Sequence, residues 1–199
     1  KIVLSDNKKR DFLKGKSIVT VFSEASTRTR SSFELAGKYL GADVINITKS
    51  GSSMTKGESM RDTLLTVSAM GVDAVIIRDS SEGAALFASK VMSPKVKVPV
   101  VINAGDGAHA HPTQALLELF TLKEAGKNIK GMKYVIIGDI LHSRVARSDI
   151  YGFTKLGAEV HLVGPRTLVP KELESMGVIV DDNLEDALRD ADAINILRI

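Results

Sequence analysis

The alternation of short β-branched runs with amphipathic helical stretches constrains this 199-residue chain more than any other feature. Runs rich in Val and Ile near 17–22, 43–48, 73–78, 98–103, 133–138, 158–163 and 193–199 read as strands. Helical periodicity fills the intervals near 30–40, 57–70, 82–91, 112–125, 143–156, 171–176 and 184–190. Strands that alternate with helices imply parallel pairing through crossover connections, because a tight turn cannot join parallel neighbours. The apolar runs are continuous, as they are when helices cover both faces of a sheet. The expected class is α/β, with two doubly wound parallel-sheet domains. The polar stretch Glu124-Ala125-Gly126-Lys127-Asn128 marks the boundary, giving domains at 1–126 and 127–199.

Composition narrows the function. A net charge of +3, without a block of Lys or Arg, argues against nucleic acid as a partner. The chain has no cysteine, which removes disulfides, thiolate catalysis and cysteine-ligated zinc and fits a reducing cytoplasm. No apolar run approaches the ~20 residues that span a bilayer, so no membrane partner is expected. The start at Lys1 shows neither an initiator Met nor a signal-peptide pattern and reads as a trimmed end. The second domain, stopping at Ile199, is expected to be incomplete at its C-terminal end.

Ligands of open α/β sheets gather beyond the carboxyl ends of the strands, and the polar clusters fall there. Ser26-Thr27-Arg28-Thr29-Arg30 follows the first strand and opens a helix. Free N–H groups and the dipole at a helix start favour an anion, and guanidinium groups match phosphate oxygens in pairs. Capping alone would need only one of these hydroxyls. The loop 49–57 carries Ser52 and Lys56, and its spacing suits a solvated loop and an anion-reaching lysine equally. The helix after it is expected to be capped through Thr55 or Gly57.

Arg78 closes the third strand, where an arginine either snorkels to solvent or meets a ligand. Asn103-Ala104-Gly105-Asp106-Gly107 makes a turn-rich strand exit leading to His109 and His111-Pro112-Thr113-Gln114. Pro112 suits the first helical position. His109 and His111 have a metal-pair spacing, but no further ligands complete a site, and none is expected. His111 reads better as a hydrogen-bond donor to a carbonyl oxygen, with Gln114 one turn on. Gly138-Asp139-Ile140 lacks the later glycines of a dinucleotide turn, which excludes a nicotinamide site. Arg144 and Arg147 open the next helix, where cations oppose the dipole and an anion is expected. Arg198 lies in the last apolar run, where an unpaired charge would be costly.

In order, these strings resemble the carbamoyltransferases, and among them the aspartate-using type. They are Glu24 to Arg30, Lys56-Gly57-Glu58, Arg78, Asn103 to Gly107, His111-Pro112-Thr113-Gln114, and Gly138-Asp139 with His142-Ser143-Arg144-Val145-Ala146-Arg147-Ser148. The resemblance implies an active site in the cleft between two domains and transfer of a carbamoyl group from carbamoyl phosphate to the α-amine of L-aspartate. It implies that Ser26, Thr27, Arg28 and Thr29 hold the phosphate, with Arg78 helping. Thr29, Arg78 and His111 would surround the carbonyl oxygen, Gln114 would hold the carbamoyl amide, and Arg144 and Arg198 would bind the two carboxylates. Ser52 and Lys56 would enter a neighbouring subunit's site, so the implied assembly is a homotrimer with shared active sites. No cofactor or metal is implied, and there is room for a regulatory or pathway partner chain. Two alternatives stay open: an ornithine-type carbamoyltransferase and a non-catalytic anion-binding homologue.

Overall fold

A computed structural model of the chain describes residues 7–48, 57–92 and 98–198. By packing, the chain divides into two compact units, Lys1–Gly107 and Ala108–Ile199. The first contains β1 (Ser17–Phe22), α1 (Thr27–Tyr39), β2 (Asp43–Thr48), α2 (Met60–Ala69), β3 (Ala74–Asp79), α3 (Ala84–Val91) and β4 (Val100–Asp106). Its strands lie in the order β2-β1-β3-β4, and every pair is parallel. Period-two alternation splits the core between the two faces of the sheet. Val19, Val21, Val75 and Ile77 pack with Leu64 and Val67 on one face, while Ile18, Phe22 and Ile76 pack with Ala42 and Ala104 on the other.

The second unit contains α4 (Pro112–Glu124), β5 (Lys133–Ile137), α5 (Arg144–Lys155), β6 (Glu159–Val163), a 3₁₀ turn at Lys171–Met176, β7 (Ile179–Asp181), α6 (Leu184–Leu188) and β8 (Ala193–Ile196). The order is β7-β6-β5-β8, again all parallel. Tyr134, Ile136, Ile150, Phe153 and Leu162 form its main core, and the Tyr134 and Phe153 rings stack with centroids 3.8 Å apart. Helix α4 packs on α5, and its Leu119 and Leu122 lie against this core, so packing groups α4 with the second unit.

Both sheets are doubly wound. Successive connections reverse direction at β1/β3 in the first sheet and at β5/β8 in the second. Loops leaving adjacent strand ends at such a point diverge to opposite faces and open a crevice. The Ser26–Arg30 string and Arg78 follow the strands of the first switch point; Gly138–Arg144 and Arg198 follow those of the second.

Three local expectations change. Strand β7 was not expected. The final strand ends at Ile196, not Ile199, so Arg198 lies beyond it and is exposed, and the burial argument for a partner of Arg198 falls. Helix α2 is capped by Ser59, whose hydroxyl accepts from the Asp62 amide at 3.2 Å, and not through Thr55 or Gly57. Among the described residues no helix is long and apolar enough to cross a membrane.

Candidate functional site

Helix α1 starts at Thr27, earlier than periodicity suggests, so the threonines and arginines of the motif form its first turn. Ser26 is the N-cap, extended at φ −155°, yet its hydroxyl makes no capping bond. The first intrahelical bond runs from the Arg30 amide to the Ser26 carbonyl at 3.3 Å. The amides of Thr27, Arg28 and Thr29 therefore have no intrahelical acceptor. No acidic residue lies in this turn, and two arginines do. Cations at a helix start oppose the dipole, and a bound anion would reverse that penalty. Phe22, Ser23, Glu24, Ala25, Ser26, Thr27, Arg30 and Thr48 line a cavity of about 400 Å³ at this point. Arg30 lines it, although the motif reading gave Arg30 no separate role; Arg28 is exposed on the same turn.

Arg78, at the end of β3, ties three segments together. Its Nε donates to Glu24 Oε2 at 3.0 Å, and its Nη1 donates to the Ala104 carbonyl at 3.2 Å and to Thr29 Oγ1 at 3.4 Å. The side chain is only 12% exposed, which rules out simple snorkelling. Parallel pairing of Phe22 with Arg78 fixes where the guanidinium meets the β1–α1 turn. The next residue, Asp79, braces the same region. Its carboxylate accepts from the Ser23 hydroxyl and from the Ser81 amide, the latter at 2.7 Å.

The exit of β4 is framed by polar side chains. Buried Asp106 accepts from the Gly83 amide at 2.9 Å and from Asn103 Nδ2 at 2.8 Å, and Asn103 Oδ1 accepts from the Gly105 amide at 2.8 Å. Gly107 has φ +52°, and a Cβ there would lie 2.9 Å from the Ser80 carbonyl oxygen. These residues of the Asn103–Gly107 string hold the loop in shape.

In the second unit His111 is the N-cap of α4, with Pro112 in the first turn as expected. His111 is buried, its amide donates to Ser148 Oγ at 2.8 Å, and Ser148 in turn donates to the Arg144 carbonyl at 3.0 Å. The His111 backbone is thus tied to α5 through Ser148. His109 is exposed. Arg144 is half-buried at the start of α5, where Ser143 caps by accepting from the Ala146 amide at 3.1 Å. His142 Nδ1 lies 3.0 Å from Asp139 Oδ1, closing the turn after β5. Ser52 and Lys56 lie outside the described residues.

Gln114 leads to a cluster that sequence reading missed. Its Nε2 donates to Glu118 Oε1 at 2.9 Å, one turn along α4. Glu118 Oε2 also accepts from Tyr134 Oη at 2.9 Å and from Asn195 Nδ2 at 3.0 Å. Asn195 bridges to Asp149 Oδ2 at 3.0 Å. Asp149 is fully buried, and among the described residues its Oδ1 has no hydrogen-bond partner. Burial first, and then the Glu118 charge, push the Asp149 carboxyl up to about 9. Burial, and then the Asp149 and Glu118 charges, likewise raise the Tyr134 hydroxyl above its ordinary range.

Residues 1–124 match the family described as aspartate/ornithine carbamoyltransferase, carbamoyl-P binding domain. The chain is 58% identical over 192 residues to the aspartate carbamoyltransferase catalytic subunit of Desulforamulus reducens, covering 96% of this chain and 60% of that one. The catalytic subunit of M. jannaschii aspartate transcarbamoylase superposes with a TM-score of 0.80 at 38% identity, covering 98% of this chain and 64% of that one. Aspartate transcarbamoylase from Trypanosoma cruzi, solved in complex with aspartate and phosphate, superposes with a TM-score of 0.82 at 30% identity, covering 96% of this chain and 65% of that one. The chain thus spans under two thirds of the length of these relatives.

Proposed function

Because the chain belongs to the aspartate/ornithine carbamoyltransferase family, we propose that it transfers the carbamoyl group of carbamoyl phosphate to the α-amine of L-aspartate. The products are N-carbamoyl-L-aspartate and phosphate, an early step of pyrimidine biosynthesis in the cytoplasm. One observation carries the reading. Arg78 and Thr29 meet at a helix start that has free amides, a hydroxyl cap left unused and no acid to compensate the dipole.

Ser26, Thr27, Arg28 and Thr29 hold the phosphate, and Arg30 adds positive field from the cavity wall. Arg144 and Arg198 take the two carboxylates of aspartate. The amine attacks the carbonyl carbon, and the C–O bond to phosphate breaks from the tetrahedral intermediate. Thr29, Arg78 and His111 stabilise the oxyanion by donation, and Gln114 holds the carbamoyl amide. No enzyme nucleophile is required: proximity and charge stabilisation suffice, and the leaving phosphate can take the proton of the amine. Ser52 and Lys56 complete a neighbouring subunit's site in a homotrimer.

Isothermal titration of the full-length protein with a bisubstrate phosphonate-dicarboxylate tests the site, and product analysis tests the acceptor. Tight binding with carbamoyl-aspartate formed supports the proposal. Citrulline formed from ornithine would move the chain to the ornithine type, and no binding would leave a non-catalytic homologue.

A further inference from the structure

The polar cluster behind Gln114, in which Asp149 and Tyr134 are buried and Glu118 and Asn195 half-buried, serves no step of the mechanism above, yet it touches one of the residues assigned to substrate. We propose that Glu118 and Asp149 form a positioning pair that fixes the Gln114 side chain with its amide nitrogen turned to Glu118 through one N–H and its carbonyl oxygen left as the acceptor for the carbamoyl N–H group. The inference rests on the carbamoyl-transfer reading and deepens it by assigning residues that set the orientation of Gln114.

Hydrogen-bond counting carries the argument. Glu118 receives three donors: Gln114 Nε2, Tyr134 Oη and Asn195 Nδ2. Such a set satisfies an ionised carboxylate, which can only accept. Asp149 receives one, from Asn195, and keeps a buried oxygen without a partner among the described residues. Asp149 is fully buried and Glu118 only half-buried, so a second negative charge is least tolerated on Asp149. The donor count therefore leaves the single negative charge on Glu118 and the proton on Asp149.

The protonation state decides how Gln114 sits. An amide can turn either its nitrogen or its oxygen toward a neighbour, and an acceptor-only neighbour permits only the nitrogen. With Glu118 ionised, Gln114 must donate to it, and its Oε1 remains an acceptor for an N–H donor. Were Glu118 protonated instead, the amide could reverse and offer N–H groups where the carbamoyl nitrogen needs an acceptor. The groups facing Asp149 are Glu118 from α4, Tyr134 from β5 and Asn195 from β8, and these are the groups that set the charge Asp149 can carry.

The test combines steady-state kinetics of the full-length protein with the ¹⁵N side-chain amide signal of Gln114. Glu118→Gln is expected to raise KM for carbamoyl phosphate about tenfold, the worth of one hydrogen bond, with KM for aspartate within about twofold. The Gln114 amide protons should lose their slow exchange in that variant. The parent should lose carbamoyl phosphate affinity once Asp149 ionises at alkaline pH, and Asp149→Asn, which keeps a neutral group at that position, should abolish that loss. Unchanged exchange at Gln114 in Glu118→Gln, or the same alkaline loss in Asp149→Asn, overturns the assignment. If the parent fails to bind carbamoyl phosphate at all, the proposed activity falls, while the exchange of Gln114 still decides whether Glu118 holds it.

Discussion

Replacing Asp149 by Asn should stabilise the second unit at alkaline pH and leave it unchanged in acid. In the folded chain this carboxyl is raised from 3.8 to about 9, first by burial and then by the Glu118 charge. Between those values the folded state holds a proton that the unfolded state releases. Stability therefore falls as pH rises through that window, by ~1.4 kcal/mol per pH unit, and is flat above it. From about pH 5 to about pH 8 the ceiling is ~4 kcal/mol, and relaxation of a real interior brings the realised loss to about 2–4 kcal/mol. Asn keeps an acceptor for Asn195 Nδ2 and gains a fixed donor toward Glu118, yet it has no proton to lose. Amide exchange of β5 and α5, measured against pH, reports on the second unit by itself. The parent curve should slope downward and the variant curve should be flatter, the two meeting near pH 4. Parallel curves, or a variant less stable than the parent at pH 8, would show that Asp149 is ionised in the folded chain.

Three further outcomes follow from the first unit and from the proposed assembly. Arg78→Lys keeps the charge but cannot serve Glu24, Thr29 and the Ala104 carbonyl together, so turnover should drop ~10²-fold or more. Near-normal kcat would remove Arg78 from the oxyanion's surroundings. Gly107→Ala should lower stability by about 1–3 kcal/mol in urea unfolding, since its Cβ would press on the Ser80 carbonyl and the Glu82 amide; an unchanged midpoint would show that the loop yields freely. Mixing Arg28→Ala chains with Lys56→Ala chains should restore part of the activity that each lacks alone, because one hybrid site keeps both intact residues, and absence of any recovery would count against sites shared across subunits.

The parallel strands were legible because burial on both faces leaves continuous Val and Ile runs, such as Ile18 to Phe22 and Ala74 to Ile77. Strand β7 was not, because three residues at a sheet edge, between a 3₁₀ turn and α6, carry too short a pattern to separate from a connection. The helical stretch at 171–176 formed only a 3₁₀ turn: Pro170 sets its start, and Gly177, at φ +79°, stops it after six residues. The burial of Arg198 was misjudged for a related reason, since an apolar run says nothing about where strand pairing stops. The helix start at Ser26–Arg30 was readable because contiguous residues supply it, and the fold needs only to begin a helix there. The Glu118–Asp149–Asn195 cluster comes from α4, α5 and β8, which no local spacing links. One signal did exist. Asp149 falls on the face of α5 that carries Ala146, Ile150 and Phe153, and a carboxylate on an apolar helix face requires either a partner or a retained proton. That misfit residue marks a polar cluster between α4 and α5, because a fold tolerates a carboxyl on an apolar helix face only where it is partnered or keeps its proton.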